Sequence, residues 1–82
     1  MKVTIYSTPT CPYCRMAKAY LNDRNLEFED VDVSVDYKKA REMVEKSGQM
    51  GVPVIEIDGK IIVGFDRKEI DKALKAGEPG RK

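Results

Sequence analysis

The sequence predicts an α/β domain with the element order β-α-β-α-β-β-α. Three observations carry this prediction. An alternating N-terminal run enters a helix through a C-x-x-C motif, a second near-alternating run follows that helix, and an Asp-Gly pair separates two β-branched runs further on. A strand that returns after a helix lies parallel to the strand it left, in a right-handed βαβ unit. Two strands joined by two turn residues must pair antiparallel.

The elements follow in order. Lys2 to Tyr6 alternates polar and apolar residues, so Val3 and Ile5 share one face of a first strand, which ends in the loop Ser7-Thr8-Pro9-Thr10. Met16, Ala17, Tyr20 and Leu21 then fall at helical spacing, with Arg15, Lys18 and Asp23 facing water, and this helix is expected to end near Asn25. Glu27 to Val33 reads as the second strand, with Leu26, Phe28, Val31 and Val33 nearly alternating. Tyr37, Ala40 and Val44 mark a second helix on a highly charged background, closed by Gly48 as a left-handed cap. Pro53–Ile57 and Lys60–Val63 form a hairpin about Asp58-Gly59. In the last helix Asp66 is the expected N-cap, Glu69 completes a capping box, Phe65 staples onto Ile70, and Ile70, Ala73 and Leu74 form the buried stripe. The domain is expected to span residues 1–76, with 77–82 as a flexible C-terminal tail.

Chemistry concentrates at Cys11-Pro12-Tyr13-Cys14. Pro12 suits the first helical position, where a missing N–H has no partner to lose. That placement makes Cys11 the N-cap and Cys14 the third helical residue. The Cys11 sulfur then takes the place of a capping oxygen, accepts N–H groups of the first turn, and has its thiolate favoured by the positive end of the helix dipole. Cys11 is therefore the expected nucleophile. Cys14, on the same face and behind its partner, is the expected resolving thiol.

Composition narrows the alternatives. The 82 residues make one domain, and 41% hydrophobic with 35% charged residues is the balance of a folded globular chain rather than a disordered one. A net charge of +1 gives no electrostatic case for nucleic acid or an anionic membrane as the main partner. Met1 to Tyr6 is too short and too polar for a signal peptide, and no apolar run approaches a membrane span, so the expected address is the cytoplasm. There a structural disulfide is disfavoured, and C-x-x-C beside a strand–helix junction reads as a working redox pair. Two cysteines and no histidine cannot supply the four ligands of a closed zinc site within one chain, so no bound cofactor or metal is expected. A metal or iron–sulfur site bridging a dimer is the alternative from another class.

With this element order, Cys-Pro-Tyr-Cys, Val52-Pro53 and Gly64-Phe65-Asp66 together resemble the glutaredoxins and their thioredoxin-fold relatives, over Val3 through Leu74. The resemblance implies a thioredoxin fold, a four-stranded mixed sheet flanked by three helices, and the activity of a small monomeric disulfide reductase. It implies a cis Val52-Pro53 bond, with the Val52 backbone pairing with the substrate cysteine residue like a strand; the plain alternative is a turn that only holds the hairpin. It implies that Gly64, Phe65 and Asp66 receive the γ-glutamyl end of glutathione, where Asp66 would otherwise only cap its helix. Tyr13 either stacks on substrate or packs against a neighbouring loop.

Other positions depart from the pattern. Many glutaredoxins carry a lysine three residues before the first cysteine, to bind the glycine carboxylate of glutathione; here Thr8 stands there, and Thr8 and Gln49 are the remaining candidates for that carboxylate. Gly51 replaces a usual threonine, and Phe65 and Arg67 stand where small or acidic residues are common. Phe65 resembles NrdH-type redoxins, which take electrons from thioredoxin reductase, although Cys-Pro-Tyr-Cys is uncommon among them. The expected partners are disulfide-containing proteins and, as reductant, glutathione or a flavoprotein disulfide reductase.

Overall fold

The computed structural model describes residues 2–76 of the chain; the expected tail at 77–82 lies outside the described residues. The strands are β1 (Val3–Ser7), β2 (Glu29–Asp32), β3 (Val54–Ile57) and β4 (Lys60–Val63), and the helices are α1 (Pro12–Asp23), α2 (Tyr37–Ser47) and α3 (Arg67–Ala76). The expected order β-α-β-α-β-β-α is the observed one. The sheet runs β2-β1-β3-β4, with β1 parallel to β2 and antiparallel to β3, and β3 antiparallel to β4. This is the mixed four-stranded sheet and three-helix arrangement of a thioredoxin-like fold.

Local signals account for most boundaries. Asn25 takes a left-handed φ of 58° two residues beyond α1, a conformation asparagine tolerates better than most residues. Gly48 at φ 72° caps α2, and its N–H reaches the Val44 carbonyl at 2.7 Å. At the other end of α2, Asp36 accepts the Lys39 N–H at 3.1 Å. Asp58 and Gly59, both at positive φ, form the β3–β4 turn, and the Asp58 carboxylate also accepts the Lys2 N–H at 2.8 Å, which pins the start of β1 to the hairpin.

The core is divided by the sheet. On one face Val3, Ile5, Ile55, Ile57 and Ile62 meet Ala17 and Leu21 of α1 and Ile70, Ala73 and Leu74 of α3. On the other, Tyr6, Val31 and Val54 meet Met43 of α2. Each large aliphatic side chain so buried contributes about 1.5–3 kcal/mol relative to exposure.

Five sequence expectations change. β1 is buried along its whole length, Thr4 and Ser7 included, because it is a central strand covered on both faces rather than a half-exposed one. β2 is shorter than Glu27–Val33, since only residues 29–32 pair with β1, and β3 begins at Val54 rather than at Pro53. In α2 the buried anchor is Met43, while Tyr37 is 81% exposed in the first turn. In α3, Asp66 accepts the Glu69 N–H at 3.2 Å, but the Glu69 carboxylate turns to Lys60 at 3.8 Å and Lys72 at 3.6 Å, so half a capping box forms.

Candidate active site

The cysteines stand where β1 ends and α1 begins. Pro12 is the first helical residue, and Cys11, in an extended conformation at φ −91°, ψ 114°, is its N-cap. Its Sγ accepts the Cys14 N–H at 3.2 Å. An N–H aimed at sulfur at the positive end of a helix favours negative charge on that sulfur. Cys11 is partly exposed and Cys14 is 0% exposed; both are free thiols. Burial pushes the Cys14 thiol up to about 11, aided by its hydrogen bond with Cys11 and by Cys11's charge, with the Thr8 backbone and Lys18 acting the other way. The two sulfurs are thus unequal, one reachable and one enclosed.

Three further segments converge on this corner. The Cys11 Sγ–H donates to the Val52 carbonyl at 3.9 Å, and the Val52-Pro53 bond is cis. The Pro53 carbonyl accepts the Gly64 N–H at 2.8 Å, which brings Gly64-Phe65-Asp66 and the start of α3 alongside Val52. The Thr8 carbonyl accepts the Cys11 N–H at 3.4 Å. Tyr13 stands out between the cysteines at 61% exposure, so of its two readings the outward one describes its position. Pro12 is exposed beside it.

Gln49 lies on the approach to Val52, where its backbone N–H and carbonyl both engage the Ser47 hydroxyl, at 3.1 Å each. A Cβ at Gly51 would stand 3.4 Å from the Gln49 Nε2, an ordinary contact with the end of a flexible side chain. Phe65 faces inward. Its ring meets Tyr20 edge-on, with centroids 5.7 Å apart, and packs on the core that holds Ile70. Its backbone is therefore what it offers to the site.

A neighbouring group escaped the sequence reading. Lys18, expected to face water, instead donates to Asp30 of β2 at 2.8 Å, and the buried Ser7 hydroxyl donates to the other oxygen of the same carboxylate at 2.7 Å. Burial opposes the Asp30 charge, but the hydrogen bonds from Lys18 and Ser7, with the Lys18 charge, hold its carboxyl below the ordinary range. The four-residue step from Cys14 to Lys18 was the available signal. A cleft of about 390 Å³ on the opposite face, lined among others by Thr4, Tyr6, Glu42, Lys46 and Glu56, contains no cysteine, and Lys46 there pairs with Glu56 at 2.8 Å and with Glu42 at 4.0 Å.

Comparison with known proteins settles the family. The glutaredoxin family model matches residues 3–62. The chain belongs to the glutaredoxin family. It is 55% identical over 73 residues to an uncharacterized glutaredoxin-like 8.6 kDa protein in the rubredoxin operon of Clostridium pasteurianum, covering 89% of this chain and 97% of that one. It is 41% identical over 64 residues to glutaredoxin 3 of Escherichia coli K12, covering 78% and 77%. Among solved structures it resembles the glutaredoxin-like NrdH-redoxin of Escherichia coli, with a TM-score of 0.75 at 26% identity over 88% of this chain and 93% of that one. This glutaredoxin-family chain is a redox thiol oxidoreductase. Among the described residues no helix is long and apolar enough to cross a membrane.

Proposed function

We propose that this glutaredoxin-family chain reduces protein disulfides and glutathione mixed disulfides through a reversible Cys11–Cys14 disulfide. The observation that carries the reading is the inequality of the sulfurs: Cys11 caps α1 and accepts the Cys14 N–H at 3.2 Å, while Cys14 is wholly enclosed. Cys11, as thiolate, attacks one sulfur of the substrate disulfide; that S–S bond breaks, a mixed disulfide forms on Cys11, and the first thiolate leaves and is protonated. Cys14 then attacks the Cys11 sulfur, the mixed disulfide breaks, and the second substrate thiol departs. Two electrons have passed to substrate, and the oxidised pair takes two from the reductant.

The flanking segments support a substrate ledge. Val52 offers backbone groups beside Cys11 for strand-like pairing with the substrate. Thr8 and Gln49 supply polar contacts for the glycine carboxylate of glutathione. Gly64-Phe65-Asp66 supplies the N–H groups at the start of α3 for its γ-glutamyl carboxylate, with Asp66 for its ammonium. The cytoplasm, where thiols are kept reduced, fits this chemistry.

A second reading is favoured by two observations: position 8 holds threonine rather than a cation, and the structurally similar NrdH-redoxin of Escherichia coli has a thioredoxin-like activity profile. On that reading thioredoxin reductase supplies the electrons. Turnover of a disulfide substrate is measured with NADPH, glutathione and glutathione reductase, and separately with NADPH and thioredoxin reductase. Turnover in the first supports glutathione, turnover only in the second supports the flavoprotein, and none in either contradicts both.

A further inference from the structure

We propose that Lys18, anchored by Asp30, is a positioning residue for the resolving step, holding a cation beside the helix turn that carries Cys14. The inference rests on the reading of Cys14 as resolver. Lys18 follows Cys14 by four residues in α1, so the two side chains share one helix face, and Lys18 reaches from it to Asp30 of β2. The Lys18 side chain is 26% exposed and does not range freely through solvent: Asp30 holds its Nζ at 2.8 Å. Asp30 is itself fixed, because the hydroxyl of buried Ser7 at the end of β1 donates to its other oxygen at 2.7 Å. A cation is thus tethered beside the helix turn that carries the enclosed thiol.

The step shows why a tethered cation matters there. In the free dithiol, burial, the hydrogen bond with Cys11 and the Cys11 charge all oppose ionisation of Cys14. Once Cys11 is in a mixed disulfide its sulfur carries no charge, and burial is what remains to be overcome. The groups that act on the thiolate are then Lys18 on α1, which favours it, with the Thr8 backbone on the same side; Asp30 on β2, 2.8 Å from the Lys18 ammonium, is an anion whose field opposes that of its partner. Arg15, next to Cys14 in α1, is exposed, and β1 contributes the uncharged Ser7. Cys14 loses its proton to solvent, its sulfur bonds to Cys11 Sγ, the bond from Cys11 to the substrate sulfur breaks, and the departing thiolate takes up a proton from solvent.

The pair therefore predicts opposite signs for its two members. Lys18→Met removes the cation and leaves Asp30 beside the thiol. Asp30→Asn removes the anion and keeps an amide oxygen to hold Lys18. Both are read with the full chain and dithionitrobenzoate, in which release of the first nitrothiobenzoate reports attack by Cys11 and release of the second reports attack by Cys14. We expect Lys18→Met to raise the pH midpoint of the second phase and to slow that phase at neutral pH, about threefold for each pH unit the midpoint moves, because the more basic thiolate is also the better nucleophile. Asp30→Asn lowers the midpoint, and Lys18→Arg restores the parent profile. The first phase changes less than the second. A second phase with the parent midpoint in Lys18→Met, equal changes in both phases, or shifts of the same sign in the two variants would overturn the assignment. If Lys18→Met fails to fold, Asp30→Asn and Lys18→Gln carry the same test. A parent protein that releases one nitrothiobenzoate and never the second contradicts instead the underlying reading of Cys14 as resolver.

Discussion

The Gly64 N–H donates to the Pro53 carbonyl at 2.8 Å, and this bond ties the loop entering α3 to the proline that precedes β3. Val52, one residue back, has its carbonyl 3.9 Å from the Cys11 sulfur. The two segments proposed to hold substrate are consequently joined to each other and to the nucleophile. Backbone groups make these links, so side chains at positions 8, 49 and 65 can differ between related proteins without moving the ledge.

Position 8 offers the first test. Thr8→Lys supplies a cation on the loop whose carbonyl holds the Cys11 N–H. A charge-assisted hydrogen bond to the glycine carboxylate contributes about 1.5–3 kcal/mol when well placed and less when exposed. We expect KM for a glutathionylated peptide to fall several-fold, less so at high salt. Steady-state kinetics at two salt concentrations check this, and an unchanged KM removes Thr8 from the glutathione site.

Tyr6 is one of the groups that make stability fall at alkaline pH. Burial, followed by its hydrogen bond to Glu42 at 3.1 Å, raises its phenol above the ordinary value of 10.0. A group raised on folding contributes stability that is fully present below the unfolded pKa and lost as pH rises through the folded one. Urea midpoints of the parent should decline above about pH 10. Tyr6→Phe should make that limb shallower, the remaining decline coming from Cys14 and Tyr20, whose groups are also raised on folding, and an equally steep decline in the variant contradicts the contribution of Tyr6.

Leu21 is 0% exposed at the meeting of α1, α3 and the sheet. Leu21→Ala should destabilise the fold by about 2–5 kcal/mol, through lost transfer energy and the cavity left behind. Urea denaturation measures it. A cost under about 1 kcal/mol would mean that α1 is not anchored there.

The sequence made local features legible and left cross-element ones obscure. Proline after Cys11, glycine at 48 and Asp58-Gly59 each act within a few residues, so the N-cap sulfur, the α2 cap and the hairpin could be read directly. Thr4 looks like a surface residue of an alternating strand and Ser7 like the start of a loop; Ser7 instead closes β1, and both are buried because β2 and β3 flank β1 and helices cover both faces. Lys18 and Asp30 are twelve residues apart and meet only because α1 crosses back over the parallel β1–β2 pair. Phe65 read as a ligand contact, yet Tyr20, 45 positions away in the chain by number, claims its ring. Tyr37 fits the apolar periodicity of α2 but lies in the first turn beyond the edge of the core, where Met43 takes its place.

The division of labour between the cysteines is the central claim, and trapping with glutathione disulfide followed by mass spectrometry tests it most directly. Cys14→Ser should accumulate a stable glutathione adduct on Cys11, because attack proceeds and resolution cannot. The parent should instead collect as the Cys11–Cys14 disulfide, and Cys11→Ser should form neither product at a comparable rate. An adduct that forms on Cys14 as readily as on Cys11, or a Cys14→Ser protein that forms no adduct, would contradict the account.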